Sequence, residues 1–299
     1  MSILEAIIQG IVQGLSEFLP ISSSGHLSLV QHFFGLDGEN AVAITILMHL
    51  GTLVAVFIAF WGTIKKLILE AFSMLRDIFT GKFKWKTMNS QRRFIIMIII
   101  SILPLFAFYI FKDFFAGLAS DSDIIVEGIA FIYTSALLFI STKSKKGTRL
   151  AGETTVKSAL FIGIFQGIAL VPGISRSGST ISAGLMTGLK KQEAVEYSFI
   201  LGIPVILAGA AVEFGDLGES TVKIDIIPLI VAFVVSAIVG YLSIRLIKYL
   251  ILSDKFVIFA YYTLVLGIFV ISMGIYEKIT GNRITIGENA VNTLHALLM

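Results

Sequence analysis

Six stretches of this chain, near 42–61, 94–111, 124–141, 194–213, 226–244 and 256–275, stay apolar over lengths that can cross a lipid bilayer, which takes about 17 to 25 residues of helix. No other feature restricts the fold so tightly. In hydrocarbon every backbone N–H and C=O must find a partner in protein, so only helices and closed barrels span it. Runs of this length predict helices. Composition agrees, with 56% hydrophobic and 14% charged residues where soluble domains carry about a quarter charged, and the mean hydropathy is +0.91. The expected class is an all-α membrane protein. Cysteine is absent, which excludes a disulfide framework and thiolate chemistry. The first basic residue is Lys65, so residues 1–19 do not read as a signal peptide, which needs a basic leader.

The net charge of +3 is small, and the placement of charge matters more than its sum. No nucleic-acid partner is expected. Lys65, Lys66, Arg76, Lys82, Lys84, Lys86, Arg92 and Arg93 crowd the 62–93 segment, and Lys143, Lys145, Lys146, Arg149 and Lys157 the 142–157 segment. Basic connections stay cytoplasmic, so both face inside, as do Arg245, Lys248 and Lys255. The acidic 112–123 and 214–225 connections face outside. Parity then constrains two shorter apolar segments, 3–19 and 156–171. Each runs into polar, Gly/Pro-containing sequence and has to return to the side it came from. The expectation is two re-entrant hairpins inserted from opposite faces.

The hairpins also align with each other. "GIVQGLSEFLPISSSGHL" (10–27) over "GIFQGIALVPGISRSGST" (163–180) shares eight of eighteen positions without a gap. Each half then reads as one hairpin plus three crossings, the halves inverted: repeat one over residues 1–141, repeat two over 156–275, a single membrane domain of 1–275, and a 276–299 tail with no assigned role. Inverted repeats place their binding site near the midplane, where broken helices meet.

Candidate chemistry sits in the two turns. Gln9, Gln13 and Glu17 recur at helical spacing as a polar stripe, and a carboxylate at membrane depth usually marks function, although the stripe also suits an interfacial helix. "PISSSGHLS" offers Ser22, Ser23, Ser24 and His26, a hydroxyl-rich anion nest or an ordinary helix cap. "PGISRSGST" offers Arg176 among Ser175, Ser177 and Thr180, a planar guanidinium suited to phosphate oxygens or to pairing with Glu17. Glu17, Ser23, His26 and Arg176 are expected in one cavity. His49, within a crossing, reads as bonded between helices; His32, near the outer surface, and His295, in the tail, have no evident partner.

"QGLSEFLPISSSGHL" and "PGISRSGST", in this order and spacing, resemble the undecaprenyl-diphosphatase (bacitracin-resistance) family over nearly the whole chain. The resemblance implies a plasma-membrane hydrolase that takes a polyprenyl diphosphate to the monophosphate and recycles a carrier lipid, with a divalent cation, Mg²⁺ or Ca²⁺. It implies Glu17, Ser23, His26 and Arg176 as catalytic, Glu17 as the metal ligand, and Gln13, Ser22, Ser24, Ser175, Ser177 and Thr180 as substrate-binding. Gln13 stands where many members carry a second Glu, which weakens any metal scheme needing two carboxylates. Either His26 or Ser23 can be the nucleophile. A homodimer is compatible with the pattern. The site is expected to open to the outer face. A phosphatidate-phosphatase type is excluded, because position 182 is Ser and no upstream Lys/Arg-Pro motif exists. A lipid-phosphate flippase remains the alternative.

Overall fold

The computed structural model describes residues 2–34, 41–111, 114, 117, 124–217 and 226–284. The acidic connections around Asp121 and Glu219, and His295 with the end of the tail, lie outside them. The described residues form eleven α-helices and two short 3₁₀ turns. The first hairpin is α1 (Ile3–Phe18) and α2 (Ser23–Phe34), followed by α3 (Ala41–Ala59), α4 (Trp61–Phe79), α5 (Ser90–Tyr109) and α6 (Ile125–Thr142). The second hairpin is α7 (Val156–Ile168) and α8 (Arg176–Met186), followed by α9 (Lys191–Leu217), α10 (Ile226–Leu252) and α11 (Val257–Thr280). Five of these helices are long and apolar enough to cross a membrane, and α3 with α4 makes a sixth candidate. The chain is an all-α, multi-pass membrane protein.

Each expected crossing is a helix, with boundaries moved by a few residues. The largest extension is α10, which continues past residue 244 to Leu252 because its basic residues can stretch toward the interface; Lys248 Nζ lies 3.7 Å from the Phe60 ring centre. The first six residues of the supposed tail, 276–281, finish and cap α11: the chain stops at Gly281, whose φ of +69° ends the helix in the left-handed conformation.

The larger correction is α4. The 62–93 segment reads as a basic connection, yet residues 61–79 are helical and turn 89° from α3. Ile64, Ile68, Ala71 and Leu75 recur at helical spacing while Lys65, Lys66 and Arg76 occupy other faces, the pattern of a helix lying in the interface plane. Arg92, at the start of α5, holds it there with bonds to Glu70 (2.6 Å), Asp77 (2.7 Å) and Ser73 (3.1 Å).

Packing is reciprocal between the halves. The entering helix of the first hairpin, α1, lies along α10, and the entering helix of the second, α7, lies along α5. Small residues allow both contacts, as expected where helices associate by close packing rather than by the hydrophobic effect. A Cβ on Gly14 would stand 2.8 Å from Val239 Cβ and 2.9 Å from the Ser236 carbonyl oxygen. A Cβ on Gly163 would stand 3.0 Å from the ring of Pro104. Between the hairpins a buried aromatic cluster forms the floor: Phe18 and Phe60 both meet Phe199 edge to face, at 5.2 and 5.9 Å.

Candidate active site

Both hairpin turns are built by the same local device. α1 ends because Leu19 precedes Pro20, which forces an extended backbone on it (φ −68°, ψ 141°). The chain then reverses through Ser22, at φ +75°, a conformation costing a residue with a Cβ about 1–2 kcal/mol. Ser22 recovers part of this by accepting a hydrogen bond from the Gly25 N–H at 3.2 Å, so α2 starts capped. In the second turn the left-handed position falls on Gly173 (φ +85°). Ser175, the counterpart of Ser22, caps α8 from an ordinary conformation, accepting from the Gly178 N–H at 3.0 Å. The capping reading of the first turn is therefore correct for Ser22, and Ser175 does the same in the second.

The turns meet. Arg176 Nη2 donates to Glu17 Oε1 at 2.6 Å, joining the first residue of α8 to the end of α1 across 159 positions of sequence. The other carboxylate oxygen accepts from the Ser23 hydroxyl at 2.8 Å and from Gln13 Nε2 at 3.2 Å. Glu17 is 6% exposed. The second terminal nitrogen of Arg176, Nη1, is buried without a hydrogen-bond partner. It lies against the backbone of Gly202 in α9, where a side chain would collide with the guanidinium. A buried charged donor left unsatisfied is costly unless a ligand completes it.

Beside this pair is a cavity of about 210 Å³, lined on one side by Ser23, Ser24, Ser175, Arg176 and Ser177 and on the other by Val205, Ile206, Gly209 and Ala210 of α9. Of the four residues expected together, Glu17, Ser23 and Arg176 line it, and His26 does not. The His26 ring is turned away: Nδ1 bonds the Ser22 carbonyl at 2.7 Å and Nε2 the Tyr262 hydroxyl at 2.7 Å, and the ring stacks on Tyr262 and abuts Phe131. Of the remaining candidates, Ser24, Ser175 and Ser177 line the cavity, whereas Gln13, Ser22 and Thr180 support it from behind. Thr180 bonds the Arg176 carbonyl (2.9 Å) and the Ser198 hydroxyl (2.5 Å).

A residue that sequence reasoning set aside lines the cavity, and one that it missed lies behind the turns. His49 lines the cavity with Nε2 3.8 Å from Glu17 Oε2 of α1, and its hydrogen bond, from Nδ1 to the Thr45 carbonyl, runs within α3. His32, expected without a partner near the surface, is buried instead and lies 3.0 Å from Glu277 of α11. Glu127 of α6, 4% exposed, accepts from the Ser28 hydroxyl at 2.8 Å, one turn along α2 from Ser24.

Among the described residues no three His, Asp or Glu side chains gather as a ready-made metal cage. A carboxylate and serine hydroxyls converge at Glu17 and the cavity beside it, and the Gln13 carbonyl oxygen is buried without a partner behind them. Hard cations prefer such oxygens, and Mg²⁺ commonly takes only one or two carboxylates and completes its shell with substrate phosphates and water. The residues present fit a cation that arrives with its substrate.

Comparison with known proteins extends over most of the chain. The family model described as bacitracin resistance protein BacA matches residues 6–269. The undecaprenyl-diphosphatase of the archaeon Methanosphaera stadtmanae is 38% identical over 279 residues, covering 92% of this chain and 99% of that protein. That of Alkaliphilus metalliredigens is 37% identical over 91% of this chain and 98% of its own length, and that of Treponema denticola 38% identical over 90% and 96%. The chain belongs to the bacitracin resistance protein BacA family.

Proposed function

We propose that this member of the family hydrolyses a polyprenyl diphosphate, of the undecaprenyl class its relatives are named for, to the monophosphate and inorganic phosphate, and so recycles a carrier lipid in the cell membrane. The observation that carries the reading is Arg176: a buried guanidinium with one nitrogen on Glu17 and the other unpartnered beside a hydroxyl-lined cavity. A diphosphate supplies the missing acceptor, and its charge matches the only cation lining that cavity among the described residues. The relatives' names describe an enzyme, which favours hydrolysis over the flippase alternative.

Between the two nucleophile candidates the geometry supports Ser23. It lines the cavity and already donates its proton to Glu17, whereas both ring nitrogens of His26 are engaged elsewhere. In the mechanism we propose, Ser23 Oγ attacks the terminal phosphorus and its proton passes to the Glu17 carboxylate. The bond to the bridging oxygen breaks, the polyprenyl monophosphate departs, and water then releases phosphate from the serine. Arg176 and the serine-rich helix starts hold the phosphoryl oxygens as charge moves onto the bridge. His26 acts at one remove, fixing the turn that aims Ser23. A divalent cation arriving with the substrate would be held by Glu17 and would supply charge neutralisation when bound.

The cavity is read as opening to the outer face. Gly209 lies eighteen residues past the cytoplasmic start of α9 at Lys191, about 27 Å at 1.5 Å per residue, most of the ~30 Å hydrocarbon thickness. His49 lies only eight residues, about 12 Å, from the outer start of α3. This reading agrees with hairpins that enter as inverted repeats and meet at the site. The test is phosphate release from undecaprenyl diphosphate by purified protein in detergent. Turnover that a chelator abolishes and Mg²⁺ or Ca²⁺ restores is expected; tight binding without turnover under every metal condition would reinstate the carrier reading.

A further inference from the structure

Three cavities in the membrane-spanning part share walls. The polar cavity is bounded on one side by Val205 of α9. Val205 also lines a second cavity, of about 290 Å³, between α5 and α9, with Phe106 on one wall and Pro204 and Ala208 on the other. Ile102 and Pro204 in turn belong both to this cavity and to a third of about 450 Å³, which continues along α5 past Ile99 and Ile95 to Ile68 and Ala71 of α4. Chemistry changes abruptly at the first shared wall. Serines, Arg176 and Glu17 are on one side; the other two cavities are lined almost wholly by hydrocarbon. Both wall helices carry an internal proline, Pro104 and Pro204, which removes a backbone bond and holds neighbouring turns apart. From Ile95 to Tyr109 the furrow follows fourteen steps of α5, about 21 Å.

We propose that this furrow holds the hydrocarbon chain of the polyprenyl diphosphate: it enters at Val205, passes the waist between Ile102 and Pro204, and ends beneath α4. The proposal rests on the function given above and adds where the lipid lies. A diphosphate beside Arg176 must lead its first isoprene units out of a hydroxyl-lined space, and the wall at Val205 is where that space adjoins an apolar one. Surrounding lipid is as apolar as the furrow, so burial there gives no hydrophobic driving force. What the furrow supplies is placement: a chain held along α5 fixes the phosphorus against Ser23, and small displacements of a reacting group are expensive in rate. It also gives α4 a task, since its inward apolar face closes the far end.

The test uses tryptophan blocks at two depths against two chain lengths. Ala208→Trp fills the near cavity, Ala71→Trp narrows the far one, and Leu207→Trp, on the same helix but outside the furrow and 48% exposed, is the control. Substrates are farnesyl diphosphate, whose short chain reaches only the near cavity, and undecaprenyl diphosphate. Ala208→Trp should lower kcat/KM for both by roughly ten- to a hundredfold. Ala71→Trp should do so for the long substrate alone, and Leu207→Trp for neither. Equal effects of Ala71→Trp on the two substrates, or no loss with Ala208→Trp, would overturn the route. A photo-crosslinking amino acid at position 208 should label bound undecaprenyl diphosphate where one at 207 does not, and labelling at 207 alone would also overturn it. This readout needs no turnover, so a wild type that labels at 208 but releases no phosphate would refute the function and leave the furrow standing.

Discussion

The turn between α1 and α2 and the turn between α7 and α8 have the same framework and different contents. Both helices that leave the turns are capped by a serine accepting from a glycine N–H three residues on, Ser22 from Gly25 and Ser175 from Gly178. Both entering helices use glycine to lie close against a helix of the other half. What stands on that framework differs position by position. In the gapless alignment Glu17 faces Leu170, Ser23 faces Arg176 and His26 faces Ser179. The first turn holds the carboxylate and the hydroxyl bonded to it, the second the cation. The turns share a capping framework and carry complementary charges, so the ion pair that lines the cavity needs both of them.

That division can be tested by paired variants. The largest expected effect is Ser23→Ala, which removes the proposed attacking group and should lower kcat on the order of 10⁴-fold, the scale of a lost nucleophile. His26→Ala should cost clearly less in steady-state phosphate release. The reverse order would return the nucleophile to His26. Next is Glu17→Gln against Leu170→Gln. The first should cost roughly 10²–10⁴ in kcat as a lost proton acceptor and lower thermal stability, because removing one member of a buried ion pair leaves the other uncompensated. The second should leave turnover near wild type; equal losses would mean the hairpins are not functionally distinct.

Arg176→Lys keeps the charge and loses the two-pronged geometry. Loss of one charge-assisted bond, about 1.5–3 kcal/mol, predicts a fall of roughly ten- to a hundredfold in kcat/KM. Unchanged kcat/KM would reduce Arg176 to a structural partner of Glu17. The smallest effect concerns the framework itself. Ser22→Gly loses a cap, worth a few tenths of a kcal/mol when glycine replaces it, but relieves the left-handed strain at φ +75°. Ser175→Gly loses the cap with no such relief. The first variant should therefore melt higher than the second, by a difference of about 1 kcal/mol.

The crossings were legible because membrane solvation leaves little choice: a long apolar run must be a helix. The two helix pairs, α1 with α2 and α7 with α8, were legible because polar, Gly/Pro-containing sequence interrupts their apolar runs, and the meeting of Glu17 with Arg176 followed from their complementary charge at membrane depth. The misreadings have physical causes. In α4 the lysines and arginines dominated the composition of a segment whose apolar residues nonetheless kept helical spacing, and that spacing was the available signal. Thr45, His49 and Thr52 likewise mark a polar face that the average hydropathy of α3 conceals. His26 could not have been placed from sequence, since its direction is set by Tyr262, 236 positions away, and nothing local encodes that contact. Thr180 carried the right chemistry on the wrong face of α8.

The ion pair that closes the site also imposes an order in time. Glu17 is made early, and its partner follows 159 residues later. At synthesis rates of about 5–20 residues per second, the first hairpin exists for roughly 8–30 s before a guanidinium is available. A lone carboxylate is expensive in hydrocarbon, and until Arg176 is made Glu17 has no cation to pair with, so the site cannot close before the second hairpin exists.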